Sequence, residues 1–136
     1  MKAIGTFALT AFDPTPVQPE PPIVTALPVG VSHMTKEYSG EIGGVSATLF
    51  TAAFDMDSGA GTYVAMESFD GTLNGVAGTF NFVHSATTGG TDRTHEFFLI
   101  VPQSGTGGLT GITGTGALYV DDKGGHHIWF DYELPA

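Results

Sequence analysis

The sequence contains no cysteine. Disulfide bonds, cysteine nucleophiles and zinc sites built on thiolates are therefore excluded, and a reducing compartment is compatible with this composition. A chain of 136 residues buries about two-thirds of its unfolded surface in one core, so no covalent staple is needed. We expect a single domain over residues 1–136.

Basic residues are scarce. The chain has 14 acidic residues against four lysines and arginines, which gives a formal net charge of −10. Such a charge repels polyanions within the screening length. We therefore exclude nucleic acid and anionic membrane surfaces as partners.

Long hydrophobic runs are also missing. No segment reaches the roughly 20 apolar residues of a membrane-spanning helix. The first 12 residues alternate between apolar and polar instead of forming the apolar centre of a signal peptide. We expect a soluble protein of the cytoplasm.

The sequence is instead rich in glycine, with 20 residues, and it has little helix-forming sequence. This composition is typical of an all-β chain with many turns. Period-two alternation predicts eight strands, at residues 2–12, 31–40, 46–54, in the two arms of a hairpin over 62–85, and at 92–101, 112–120 and 126–134. Because nearly all connections are short, we predict a single eight-stranded antiparallel barrel without sheet edges.

The one long connection, residues 13–30, holds six of the eight prolines. Proline removes a backbone donor and fixes φ, so neither a helix nor a central strand is expected there. The segment keeps apolar residues such as Ile23 and Val24. We predict that this proline-rich loop lies across one end of the barrel and covers a cavity.

The clearest element is the hairpin over residues 62–85, centred on Asn74-Gly75. This dipeptide accepts the positive φ angles of a type I′ turn. The resulting register places Phe69 opposite Phe80, and the aromatic side chains share one face, which should be buried. That face carries Tyr63, Ala65, Glu67, Phe69, Phe80, Phe82 and His84.

Two ionisable residues, Glu67 and His84, lie on that aromatic face within side-chain reach. Burial disfavours the carboxylate while a nearby imidazolium favours it, and such opposed effects tune acid–base groups. The pair is therefore our catalytic candidate. The alternative is a buried polar pair that fixes strand register and is satisfied by Tyr38, Tyr63 or water.

A metal site needs a third ligand. If the following strand pairs as a simple hairpin, His95 joins His84 and Glu67 in a two-histidine, one-carboxylate set. Residues 55–61 (DMDSGAG) begin like a calcium loop but lack its closing ligands, which favours an ordinary turn. We predict neither a metal nor a cofactor.

Short motifs run across nearly the whole chain. They are GTF at 5–7, YSG at 38–40, ESFDG at 67–71, GTF at 78–80 with His84, and PQSGTGGL at 102–109. With these motifs the chain resembles a bacterial family of small proteins of unknown function whose fold is a barrel like that of allene oxide cyclase. The resemblance implies the eight-stranded barrel and supplies no activity. One departure is Gly108, where the family usually has an acidic residue.

The barrel interior decides the function. Bulky side chains alternate with Gly5, Ala65, Gly71 and Gly78, which should leave room inside. We therefore predict that the barrel binds a small, largely apolar molecule in its interior or at its mouth. The predicted pocket residues are Phe7, Tyr38, Tyr63, Phe69, Phe80, Phe82 and His95.

Two other hypotheses stay open. One is an isomerase or cyclase that acts in the same cavity with Glu67 and His84 as acid–base groups. The other is a structural or interaction module with a filled barrel and no ligand. Trp129 should point outward, and exposed tryptophan is enriched at interfaces, so we expect a homodimer or higher homo-oligomer.

Overall fold

The computed structural model describes residues 1–136 and forms a closed barrel of eight antiparallel strands. Each strand pairs with the next, and the last pairs with the first, so the ring has no free edge. The strands are β1 (Lys2–Pro14), β2 (Val29–Gly40), β3 (Ile42–Phe54), β4 (Gly61–Leu73), β5 (Val76–Thr88), β6 (Thr94–Ile100), β7 (Thr113–Val120) and β8 (His126–Glu133). A 3-10 turn, Gly107–Leu109, precedes β7. The structure contains no helix with the length and hydropathy of a membrane span. The predicted all-β fold is confirmed.

The β4–β5 hairpin has the predicted register, with Phe69 opposite Phe80. Its turn residues Asn74 and Gly75 have φ angles of 50° and 82°, as the sequence predicted. The side-chain amide of Asn74 also donates hydrogen bonds to the carbonyl of Lys2 at 3.1 Å and to the hydroxyl of Tyr132 at 2.9 Å. The turn is therefore joined to β1 and β8 across the end of the barrel.

The largest difference from the predicted strand bounds is at the start of β3. β3 starts at Ile42 rather than at residue 46, because Gly44 lets its backbone approach β4 closely. A Cβ atom on Gly44 would lie 2.3 Å from the carbonyl oxygen of Asp70. The β2–β3 turn is therefore confined to residues 40–41, where Gly40 has a φ of 103°.

One end of the barrel, which we call the packed end, contains the β2–β3, β4–β5 and β6–β7 connections. Aliphatic side chains from these connections and the adjoining strands are fully buried there, namely Ile42, Leu73, Ile100, Leu109 and Ile112. A layer of aromatic rings lies next to them. Three pairs among Phe69, Phe80, Phe82 and Phe130 have centroids 5.0 to 5.5 Å apart. Aromatic pairs at such separations add to the stability gained from burial, so this end forms the core.

The glycines do not create internal space. A Cβ atom on Gly71 would lie 1.9 Å from the carbonyl oxygen of Gly43, and one on Gly78 would lie 2.2 Å from that of Thr106. At Gly5 the corresponding distance, to the carbonyl oxygen of Ser39, is 2.6 Å. The prediction that these three glycines leave room is wrong, because neighbouring backbone occupies the space.

The proline-rich loop spans residues 15–28, since Pro14 and Val29 belong to strands. Thr15 holds its base through two hydrogen bonds to the carbonyl oxygen of Val31, at 2.9 and 2.7 Å. Farther along, Ile23 and Val24 are 71% and 96% exposed, and no residue of the loop lines the cavity described below. The predicted cover is therefore wrong. Its prolines have no N–H group with which to bond to the barrel.

Candidate functional site

The other end of the barrel, the open end, contains a cavity of about 630 Å³. Small-molecule sites commonly measure about 300–1,000 Å³. Apolar side chains from five strands line this cavity, namely Phe7, Leu9, Met34, Phe50, Phe54, Ala86 and Leu118. Its polar lining includes Lys36, Tyr63, His84, Arg93, Glu96 and His126.

The cavity exists because inward side chains become smaller along β5. Phe80 and Phe82 fill the packed end, and His84 follows. The next inward positions, Ala86 and Thr88, leave space that no neighbouring strand fills, and both residues line the cavity. The barrel is therefore solid at one end and hollow at the other.

Beneath the cavity, Glu67 is fully buried and bonded to four side chains. Its Oε1 accepts hydrogen bonds from the hydroxyls of Tyr38 at 2.6 Å and Ser46 at 2.8 Å. Its Oε2 lies 2.6 Å from Nζ of Lys36 and 2.5 Å from Nε2 of His84. A carboxylate offers about four acceptor positions, so Glu67 has none to spare.

These contacts keep Glu67 ionised. Burial alone would raise the pKa of Glu67, but the hydrogen bond from His84 and the charge of Lys36 outweigh it and lower the pKa to about 2. Burial lowers the pKa of His84 despite the opposing effect of Glu67. Burial and then the Glu67 charge raise the pKa of Tyr38. Glu67 is thus a fixed anion between neutral donors and one ammonium group.

A hydrogen-bonded chain leads from Glu67 to the cavity mouth. Neutral His84 donates from Nε2 to Glu67, so its Nδ1 accepts from the hydroxyl of Tyr63 at 2.8 Å. The Tyr63 oxygen accepts in turn from Nη2 of Arg93 at 2.7 Å, and Nε of Arg93 donates to Glu96. Burial raises the pKa of Tyr63 even though Arg93 opposes it, so the phenol stays protonated. Every group in this hydrogen-bonded chain therefore has a defined donor or acceptor role.

Apart from His95, the predicted site residues occupy three places. Phe7, Tyr63 and His84 line the cavity. Glu67 and Tyr38 lie beneath it and bond to one another. The remaining aromatic residues, Phe69, Phe80 and Phe82, are buried in the packed end and do not line the cavity.

The predicted position of His95 is wrong. The register between β5 and β6 shifts between Ser85 and Thr87, so the two strands do not pair as a simple hairpin, and Phe98 stands opposite His84. His95 is exposed on the outside, and its ring bonds only to Thr94, at 3.2 Å. No group of three histidine, aspartate or glutamate side chains is arranged to hold a metal ion.

The sequence interpretation missed Lys36, Ser46, Arg93 and Glu96. The signal for Lys36 was present, because period-two alternation on β2 places Lys36 on the same inward face as Tyr38. Arg93 lies just before β6 and Glu96 within it, next to a β5–β6 register shift that has no signal in the sequence.

The fold and site define a class of small, closed β-barrels with a packed end and a cavity above a buried polar cluster. Residues 3–132 match the DUF3224 family, whose description reads 'Protein of unknown function'. The chain belongs to that family.

A solved structure shares the whole architecture. It is the crystal structure of a DUF3224 protein of unknown function from Shewanella oneidensis, which is 28% identical to this chain. The alignment covers 100% of this chain and 98% of that one, with a TM-score of 0.84. No functionally curated protein matches the chain.

Proposed function

We propose that this protein binds a small, largely apolar molecule in the cavity at the open end of its barrel. The cavity itself carries the proposal. Aromatic and aliphatic walls over a few fixed polar groups are the usual form of a small-molecule site. The packed end supports this use, because the core contributes stability without the cavity being filled.

An isomerase or cyclase in the same cavity has less support. A general acid or base must reach the substrate, and Glu67 is fully buried with all its acceptor positions taken. His84 lines the cavity, but both of its ring nitrogens are already hydrogen-bonded. The cluster is better suited to holding the cavity floor in one geometry than to transferring protons.

We extend the proposal to the fold type, origin, location and partners of the protein. The closed ring of eight antiparallel strands supports a barrel of the allene oxide cyclase type, and the Shewanella neighbour supports a bacterial origin. The cysteine-free sequence supports a cytoplasmic location, and the net charge of −10 argues against nucleic acid and anionic membranes as partners.

We also propose that two copies of the chain associate. The outer face carries an apolar row across four adjacent strands, formed by Leu49, Met66, Val83 and Leu99. No charged residue belongs to this row, so it offers a place where two strongly acidic chains can meet without direct repulsion. Trp129 is a weaker candidate, because the ammonium of Lys2 lies 4.6 Å above its ring.

Binding is tested with an environment-sensitive apolar dye added to the purified protein. We expect saturable binding of one dye per chain. Ala86 lines the cavity, so Ala86→Phe should reduce the affinity at least about tenfold by filling it. Ala8 lies on the outer face of β1, and Ala8→Phe is the matched control that should bind as the wild type does.

Circular dichroism and urea unfolding establish that each variant is folded. Absence of dye binding to the wild type, or equal loss in the two variants, would overturn the proposed function. In that case the interaction module without a ligand becomes the better hypothesis.

A further inference from the structure

The polar floor of the cavity has unused donors. Lys36 is 3% exposed and lines the cavity, yet of its three N–H groups only one has a protein acceptor, Oε2 of Glu67 at 2.6 Å. Its Nζ also lies 4.7 Å from the centre of the Phe7 ring. An ammonium held between a carboxylate and a ring face still has a proton to donate.

The acceptors of the Glu67 cluster are already occupied. Glu67 receives four hydrogen bonds, and the Nδ1 of His84 receives the proton of Tyr63. A second polar group is unused nearby. Thr48 is 3% exposed, its hydroxyl has no partner, and it stands opposite both Met34 and Glu67 in the sheet. Thr48 does not line the cavity, so the unused donor there is Lys36, and a ligand oxygen that accepts a hydrogen bond complements it.

The charges decide what kind of acceptor fits. The Lys36 ammonium is paired with Glu67, and the Arg93 guanidinium is paired with Glu96. Asp92 adds a negative charge to the lining, and the whole chain carries −10. A ligand carboxylate would thus enter a site without a free positive charge, which is costly in a largely apolar cavity.

We propose that the ligand is a neutral, apolar molecule whose inner end is a carbonyl group, which accepts a hydrogen bond from Nζ of Lys36. This inference rests on the proposed binding function and specifies the ligand class. Lys36 selects the carbonyl end, and the ring of Phe7 with the other apolar walls holds the rest of the molecule. Glu67 is a positioning residue, because it fixes the direction of the ammonium without reaching the cavity.

Three naphthalene probes of similar size test this. They are 2-acetylnaphthalene, 2-ethylnaphthalene and 2-naphthoate, and their affinities are measured by competition with the bound dye at neutral pH. A hydrogen bond from a charged donor predicts that the ketone binds at least about tenfold more tightly than the hydrocarbon. The carboxylate should bind more weakly than the ketone.

The variant pair tests the residue. Lys36→Met alone would leave Glu67 without its counter-ion, so it is combined with Glu67→Gln to keep the floor neutral. This double variant should bind ketone and hydrocarbon with equal affinity. Lys123 lies in the exposed β7–β8 turn, and Lys123→Met is the control that should keep the preference.

The infrared carbonyl band of the bound ketone gives a second measurement that needs no variant. In the wild-type complex the band should lie at lower frequency than in an apolar solvent, because the carbonyl accepts a hydrogen bond. Equal affinities for ketone and hydrocarbon in the wild type, or an unshifted band, would overturn the carbonyl inference while leaving the binding function intact. If the carboxylate binds more tightly than the ketone and the hydrocarbon, the ligand is an anion and the carbonyl inference is wrong. If no probe displaces the dye, the carbonyl inference is also wrong, whereas the binding function fails only if the dye itself does not bind.

Discussion

The residue that organises the interior is Glu67, and its surroundings explain how a charge persists there. Taking a carboxylate and an ammonium out of water costs several kcal/mol per ion, and a single contact does not offset this. Here the hydroxyls of Tyr38 and Ser46 and the imidazole of His84 supplement the contact with Lys36. The interaction therefore connects β2, β3, β4 and β5 through one side chain.

This cluster makes stability depend on pH in a definite direction. The pKa of Glu67 is lowered to about 2 in the folded protein, so the unfolded chain binds the extra proton first on acidification. The lowered pKa of His84 acts with the same sign, because unfolded His84 is protonated below about pH 6.5 while the folded residue stays neutral. We expect stability to be greatest near neutral pH and to fall in two stages below about pH 6.5 and about pH 4.5.

Urea unfolding at several pH values measures both stages. The lower stage should amount to about 3 kcal/mol once the pH approaches 2, because each pKa unit corresponds to about 1.4 kcal/mol. His84→Gln should remove the upper stage and also reduce the lower one, because the hydrogen bond from His84 helps to lower the pKa of Glu67. His95 is exposed and isolated from the cluster, so His95→Gln is the control, and the same loss of the upper stage in both variants would contradict this assignment.

At the scale of elements, the β4–β5 hairpin was predictable from sequence because local signals agreed. Asn74-Gly75 defined the turn, and the alternation of aromatic residues defined the buried face. The β5–β6 connection was not predictable in this way. Its loop residues are compatible with several registers, and the shift between Ser85 and Thr87 moved His95 out of the interior.

Glycines show a further limit of prediction from sequence. The sequence does not distinguish a glycine that leaves space from one beside which neighbouring backbone fills the space. Gly71 and Gly75 are four residues apart and differ in this respect. A Cβ atom on Gly71 would meet backbone at 1.9 Å, whereas on Gly75 it would meet nothing within 4 Å. Gly75 instead has a φ of 82°, which favours glycine on conformational grounds.

We therefore expect two alanine variants to differ in how much stability they lose. Gly71→Ala should cost more than about 3 kcal/mol or prevent folding, because backbone on both β3 and β4 must move. Gly75→Ala should cost only about 1 to 2 kcal/mol, for the left-handed conformation of one residue. The intrinsic fluorescence of Trp129, the single tryptophan, reports both unfolding curves. Equal losses would show that close backbone approach is not what requires glycine at position 71.

At the scale of the whole molecule, the two ends of the barrel differ in how they are filled. Strand count alone predicted either a filled interior or room for one ligand, and this protein has a packed end and a cavity along its axis. The signal that distinguishes them was the decreasing size of inward side chains from Phe80 to Thr88. The proline-rich loop was harder to place, because apolar residues in a loop do not specify what they contact.

The outer surface carries the last prediction, which concerns association of two copies. The proposed contact is the uncharged row of Leu49, Met66, Val83 and Leu99, and a twofold axis through it would bring Met66 against the same row of the second copy. Sedimentation velocity of the wild type should then show a dimer whose fraction increases with concentration. Met66→Glu would place two like charges in the contact and should yield monomers, while Thr6→Glu, on the exposed outer face of β1, leaves the dimer intact.

The effect of salt distinguishes an apolar contact from a charge-mediated one. An apolar contact persists or strengthens as salt screens the net charge of −10. Dissociation of the dimer by salt would therefore count against the apolar row as the contact. A wild type that stays monomeric, or a dimer unaffected by Met66→Glu, would exclude this row as the interface.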